Sequence, residues 1–593
     1  MSEVIGFDFG TTNSLISFVT NGEIRNVLDN KLPHPSVVAY QGESVIAGRK
    51  AKNLLAASGI GVMGNIVVSP KSLLGREKVF IEGLPRSPLD IVADLVRHIQ
   101  GHARVVYPEQ SFDRAVVTIP VGMDGQRRRA LRDAFRMAGI RIRQFVHEPF
   151  AALYAHLRDL GDTDARLRDL DGQLIVVFDW GGGTLDLTLC QLQGRTLFQI
   201  RNLGIDSVGG DHMDDLIREQ VVRRALAMRG PGGDVNYQPG ARQALRAAAE
   251  RAKIELSGSE TSLIYVSDAF DIPGGDPDLE YRLSRVELEE ICADSVAKGV
   301  RQIDQVLEAA RIEPASVALC LATGGMANMP LIQARLLEYF GPARLHVSRR
   351  GGTIISEGAA WIAEDGEPLR LAKNIELSLA RNTYLPLLKA NTRMPQEDEV
   401  LEHSVGLYSS DPRDGHAKFE FVSPLVVGKP VAADHRIPLD VMTIDVHKDA
   451  EPFRERLLLE FTLDQDLIFR AEARSTLKRN FDQIELHELE FGMSIASSKK
   501  PSVSGEEPEP EPVRIPVEPP VTPTGSLMLR SNLASRPDDF MVPGELLHRW
   551  KPFNFADRPN IQRDEYLYYR PCGGCGRRID DKNCRCISGP SPW

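Results

Sequence analysis

Gly6-Phe7-Asp8-Phe9-Gly10-Thr11-Thr12-Asn13-Ser14 and, far downstream, Phe178-Asp179-Trp180-Gly181-Gly182-Gly183-Thr184-Leu185-Asp186 are two renderings of one loop chemistry. Each glycine loop follows an apolar run (Val4 to Phe7, then Leu174 to Phe178) and precedes an alternating one (Ser14 to Val19, then Leu185 to Cys190). Each therefore reads as the tight turn of a β-hairpin. Glycine lets backbone N–H groups approach a phosphate, threonine hydroxyls add donors, and aspartates hold a magnesium ion through its waters. The same loop in two matching contexts predicts two related half-domains closing on one nucleotide.

Working outward, residues 1–363 alternate between strand and helix patterns, with Leu89 to Gln100, Gln126 to Ala138 and Ala241 to Leu256 as the clearest helices. The fold class expected here is α/β. After a linker at 364–374, the period changes to two over 375–496: Leu457, Leu459, Phe461 and Leu463 alternate with polar residues, Asp464-Gln465-Asp466 turns, and Leu467, Phe469, Ala471 and Ala473 alternate again. That is a hairpin within a β-rich domain. A proline- and acid-rich linker spans 497–526, and a tail follows over 527–593.

The chain of 593 residues is 42% hydrophobic and 26% charged, the balance of a globular protein. A formal charge of −11 argues against general binding to nucleic acid or to anionic membranes, which needs a basic surface. A strand begins by Val4 and no apolar run reaches membrane-spanning length, so a cytoplasmic address is expected. Cys190, Cys292 and Cys320 stand apart in apolar surroundings, as small buried side chains do. Cys572, Cys575, Cys584 and Cys586 instead crowd into 572–586 among glycines, a set suited to a small structural zinc knuckle, with free or redox-labile thiols as the alternative.

The ordered motifs resemble the 70-kilodalton heat-shock (DnaK-type) chaperone family. The loop at Asp8 and the loop at Asp179 look like its two phosphate motifs. Ala115 to Pro120, Gln126-Arg127 and His147-Glu148-Pro149 look like the segment between them. The resemblance implies a two-lobed actin-like ATPase domain of duplicated ribonuclease-H-like fold, followed by a smaller β-sandwich-like domain and a tail. It implies ATP or ADP with magnesium: Asp8, Asp179 and Asp186 toward the metal's waters, and Gly10, Thr11, Thr12, Asn13, Gly181, Gly182, Gly183 and Thr184 on the phosphates. Lys71 would reach the transferred phosphoryl group and Glu148 would place the attacking water, roles that suit phosphoryl transfer. Gly209, Gly210, Asp211, Glu250, Lys253, Ser257, Gly324 and Gly325 would form the adenosine side, and Pro120 and Arg127 would relay the nucleotide state.

The chain departs from the family at several places. Gly324-Gly325-Met326-Ala327-Asn328 stands where the family reads Gly-Gly-Ser-Thr-Arg, which removes a planar cation from adenine and predicts weaker, less base-selective binding. Glu364 to Leu371 lacks the family's leucine-rich linker, and the chain enters its proline tract where a helical lid should begin, so bound peptide should exchange fast. The expected function is ATP-controlled binding and release of unfolded or extended polypeptides. Its expected partners are a co-chaperone or nucleotide exchange partner and a protein that docks on the tail. The alternative is a nucleotide-sensing scaffold or adaptor with weak ATPase activity. A small-molecule kinase of the same superfamily is disfavoured for want of an evident sugar pocket.

Overall fold

The computed structural model describes residues 3–57, 64–159, 163–206, 208–229, 236–238, 240–272, 275–379, 383–427, 435–478 and 480–496. The described residues form two compact units, one running to Leu369 and including the segment that starts at Glu490, the other running from Arg370 to Leu489.

The first unit contains one sheet plan twice. In its first lobe, β1 (Ile5–Phe9), β2 (Asn13–Thr20) and β3 (Glu23–Val27) form an antiparallel meander, and β4 (Arg114–Ile119) and β5 (Arg141–His147) extend it with parallel strands in the order β5-β4-β1-β2-β3. In its second lobe, β6 (Leu174–Trp180), β7 (Leu185–Gln193), β8 (Thr196–Ile205), β9 (Val317–Thr323) and β10 (Leu345–Val347) repeat it as β10-β9-β6-β7-β8, with the same parallel and antiparallel senses. The continuous apolar runs have the expected cause: β1 and β6 are central strands covered on both faces, and Phe7, Phe9, Phe178 and Trp180 are fully buried.

Helices cover these sheets where the periodicity predicts them. α1 (Pro88–Val106) is capped by the Ser87 side chain, and α2 (Gly125–Met137) by Asp124. α3 (Glu148–Arg158) starts directly from β5, with proline at its second position, where no backbone N–H is missed. α4 (Gly210–Met228) and α5 (Ala241–Glu255) belong to the second lobe. α6 (Ile354–Asp365) closes the unit against β1, β2 and α3, and Ser356 shares a 2.8 Å hydrogen bond with Ser17 of β2.

The second unit is a sandwich of two four-stranded antiparallel sheets. One runs Thr383–Leu388, Ile375–Leu379, His416–Pro424, Arg436–Asp445, and the other Val400–Tyr408, Arg456–Asp464, Phe469–Ser475, Phe481–Leu486. Phe421 of the first meets Phe469 of the second at 5.9 Å between ring centroids, inside a core that includes Phe419, Leu459 and Leu463. The Asp464 carboxylate accepts from the Asp466 and Ile468 amides, which fixes the turn of the alternating hairpin.

The last strand of the 375–496 stretch, Phe491–Ser494, joins the first unit by pairing with β8. Two needs meet there. Phe491, Met493 and Ile495 alternate as buried side chains, and β8 would otherwise present bare backbone at the sheet edge. Cys190, Cys292 and Cys320 are buried and unbridged. The linker at 497–526, the tail and Cys572, Cys575, Cys584 and Cys586 lie outside the described residues.

Candidate functional site: the cleft between the two phosphate loops

Each phosphate loop is the turn of a hairpin, β1 to β2 and β6 to β7, and the duplicated plan turns both toward one cleft. A Cβ added to Gly182 would stand 2.0 Å from Thr12 Oγ1, so only glycine permits the loops to approach this closely. The cleft has a volume of about 230 Å3 and is lined by Asp8, Gly10, Thr11, Thr12 and Asn13 from one side and by Asp179, Gly181, Gly182, Gly183 and Thr184 from the other. Ser36 braces the first loop, its N–H donating to Thr12 O and its hydroxyl to Gly10 O, each at 2.8 Å.

Register sets the acids. Asp179 and Asp186 are direct cross-strand partners on β6 and β7, and both are buried. Like charges opposite one another repel, so the arrangement calls for a cation. Asp186 Oδ1 accepts from Val121 N at 2.9 Å and its other oxygen from the Thr184 hydroxyl, while Asp8 Oδ1 accepts from Thr118 Oγ1 at 2.7 Å. Burial, with the Glu148 charge adding to it, pushes the Asp8 and Asp186 carboxyls up to about 7, and Asp179 is raised well above its usual range by burial first.

Lys71 weighs on all three aspartates, its charge working against their upward shift. It lies in a short 3-10 turn, Pro70–Leu73, entered through Ser69 at φ 56°. Its Nζ is 2.7 Å from Oε1 of Glu148, the first residue of α3, where the positive end of the helix favours a carboxylate. Pro120 and Arg127 stand with Lys71, Thr11 and Thr184 around an adjoining hollow of about 280 Å3. Arg127 is held by Asp124 at 2.7 Å and by Gly122 O at 3.3 Å.

Opposite the acids, Gly209-Gly210-Asp211 is bonded onto the second loop: Gly210 N donates to Gly181 O and Asp211 N to Gly182 O. Glu250 and Lys253 of α5 line the cleft beside Gly324, Gly325 and Met326. Lys253 pairs with Asp214 at 2.7 Å and donates to Gly210 O at 3.0 Å. Gly324 has φ +84°, and a Cβ there would be 2.3 Å from Trp180 O. Ser257 is not among the lining residues; its hydroxyl lies 3.4 Å from Lys253 O.

The donor set fits a magnesium nucleotide. Thr12 Oγ1 and Asp179 Oδ1 are buried without hydrogen-bond partners, and four carboxylates face one lysine, so negative charge is in excess. Among the described residues no three His, Cys, Asp or Glu side chains gather closely enough to ligate a metal directly. Aspartates can hold such an ion through its waters, and the metal itself would offset phosphate charge.

Sequence reasoning missed Ser36, Asp214 and the Gly351-Gly352 turn, and it read Thr118 and Met326 as members of motifs without a role of their own. Asp214 had a readable signal, one helical turn beyond Gly210 on α4, whereas Ser36 and Thr118 reach the site only through sheet pairing.

A twice-built five-strand sheet with a phosphate loop at each central hairpin defines the class: a two-lobed actin-like nucleotide-binding fold. The chain belongs to the Hsp70 family, whose Hsp70 protein pattern matches residues 4–378. It is similar to the chaperone protein DnaK of Mycoplasmoides gallisepticum, with 29% identity over 434 residues, covering 69% of this chain and 70% of the relative. The family is one of ATP-binding chaperones, which implies ATP or ADP with magnesium and polypeptide clients. None of the described helices is long and apolar enough to cross a membrane.

Proposed function

We propose that this protein is a cytoplasmic chaperone that uses ATP binding and hydrolysis to control the binding and release of extended polypeptides. The observation that carries the reading is the buried Lys71–Glu148 pair, whose Glu148 lines a cleft built from two converging phosphate loops. Glu148 orients a water and takes up its proton, Lys71 offsets charge on the transferred phosphoryl group, and the loop amides and threonines position the phosphates. Asp8, Asp179 and Asp186 hold the waters of a magnesium ion. Glu250 and Lys253 meet the nucleoside, with Ser257 beside them. Pro120 and Arg127 pass the nucleotide state outward from the adjoining hollow.

In this reading residues 1–363, completed by the returning strand Phe491–Ser494, are the ATPase domain, the strands from Ile375 to Leu486 supply the client-binding sandwich, and a co-chaperone or exchange partner acts on the cleft. The C-terminal cysteines hold structural zinc and the tail docks a protein partner; metal analysis finding less than a quarter equivalent of zinc would remove that element. A second reading, a nucleotide-sensing scaffold, draws on one observation. The hollow of about 520 Å3 on the sandwich carries Glu460, Arg470, Glu472 and Glu485 beside Phe461, Ala471 and Ile484, and the net negative charge of its wall suits a fixed partner with basic groups.

ATP hydrolysis by the purified chain, with and without an extended apolar peptide and repeated for Glu148→Ala, separates these readings. Stimulation that vanishes with the substitution supports the chaperone. Hydrolysis and peptide binding that ignore one another favour the scaffold.

A further inference from the structure

The strand Phe491–Ser494 reaches beyond the edge it covers. It pairs with β8 at Thr196–Ser494, Leu197–Met493 and Phe198–Gly492, and Phe491 N–H then donates to Gln199 Oε1 at 3.0 Å. The same Gln199 amide meets His147 Nδ1, with Nε2 at 3.2 Å. The Phe491 ring lies 5.4 Å from the imidazole, and all three residues are buried. His147 ends β5, and the next residue in the chain is Glu148. The strand touches α3 again one and a half turns on, where the Tyr154 hydroxyl donates to Asp365 at 2.7 Å and stands 3.5 Å from Ser494 O.

We infer that the returning strand is a positioning element for hydrolysis, and that Gln199 and His147 are the positioning residues through which its seating holds Glu148 against Lys71. The inference rests on Glu148 placing the attacking water. Gln199 Oε1 accepts from Phe491 N–H while the same amide faces His147 Nδ1, and a buried amide that loses a donor reorients or admits water. Its neighbour His147 sets the backbone from which the first turn of α3 springs. A displacement of about 1 Å in a water-placing group is enough to lower a rate by about two orders of magnitude. The strand is also the segment by which the chain returns from the β-rich unit, so a change in that unit's own strands reaches Phe491 covalently.

Gly492→Val tests this, because a Cβ at Gly492 would lie 2.6 Å from the Phe198 ring and a larger side chain unseats the strand without altering Gln199, His147 or Glu148. Gln199→Met, similar in volume but without the amide, tests the relay with the strand's backbone pairing intact. Single-turnover ATP hydrolysis, nucleotide Kd and hydrogen exchange at residues 491–495 are measured for both, with Glu148→Gln as the inactive reference. The expected result is a fall in rate of about tenfold in each variant with Kd within about twofold of wild type. Faster exchange at 491–495 accompanies it in Gly492→Val. An unchanged rate in a variant whose strand exchanges freely overturns the inference, as does a loss of affinity equal to the loss of rate, the mark of general structural damage. Wild-type hydrolysis no faster than Glu148→Gln removes the ATPase reading itself and the relay with it. Normal wild-type hydrolysis that neither variant slows removes the relay alone.

Discussion

Lys71 Nζ lies 2.7 Å from Glu148 Oε1, and this ion pair is buried beside three aspartates that also bear on it. The two partners therefore respond oppositely to removal. Glu148→Gln relieves repulsion among buried acids, so the nucleotide-free protein should melt no lower than wild type while hydrolysis falls by about 10²-fold or more. Lys71→Ala leaves the acids with no cation and should destabilise the nucleotide-free protein by about 3 kcal/mol, a loss that magnesium nucleotide partly restores. Thermal unfolding beside single-turnover hydrolysis checks both. Equal melting losses in the two variants would contradict the charge argument.

Lys52 and Glu250 form a second pair, at 2.8 Å, that ties the first lobe to α5 beside the cleft. Both are partly exposed, so the bond is worth less than about 1 kcal/mol and is screened by salt. Lys52→Ala should speed nucleotide release by up to about fivefold at low salt and by less at 0.5 M salt. Stopped-flow displacement of a labelled nucleotide reads this directly, and a release rate independent of both charge and salt would show that the pair does not latch the cleft.

Much of the cleft was legible because its chemistry is local in the chain. Asp8 to Asn13 and Asp179 to Asp186 announce hairpin turns by their own glycines and flanking alternation, and sheet register then brings them together. What register alone decides was not legible. Nothing near Thr118 marks it as a donor to Asp8, and Ser36 braces the first loop only because a short strand at His34–Pro35 pairs with β2. The strand Phe491–Ser494 shows why period reading misplaces a boundary: its alternation is the same whether it completes the sandwich or covers β8. Only the unfilled edge of β8, a three-dimensional fact, decides where it goes.

Met326 lines the cleft beside Gly324 and Gly325, and Gly210 approaches its sulfur so closely that a Cβ there would lie 2.8 Å away. A thioether gives a soft apolar contact but no charge above the base. Asn328 stands three residues beyond Gly325 with an exposed amide that bonds Gly325 O at 3.3 Å. Asn328→Arg should tighten ATP binding by about three- to tenfold, the effect of a partly desolvated cation over a ring, and should raise preference for adenine over other bases. Calorimetry with ATP and GTP is the measurement. Tight, adenine-exclusive binding by the unaltered chain would refute the premise.

Two half-buried or buried imidazoles give the first unit an acid-side weakness. His34 is held down to about 4 by burial, with His102 and His98 beside it, and His156 to about 4 by burial, His346 and the Arg350 and Arg166 cations. In the unfolded chain both titrate near 6.5. As pH falls from 6.5 toward 4 the unfolded chain binds protons that the folded one refuses. Stability is therefore complete above 6.5 and declines through that window, by up to about 1.4 kcal/mol per pH unit for each such group. Asp8 and Asp186 work in the opposite sense, since carboxyls raised to about 7 favour the folded state most at low pH. The difference between His156→Leu and wild type cancels their contribution. Urea unfolding at steps from pH 7.5 to 5 should show the variant gaining on wild type as pH falls, by close to one proton's slope. Parallel curves would mean that His156 carries its proton equally in both states.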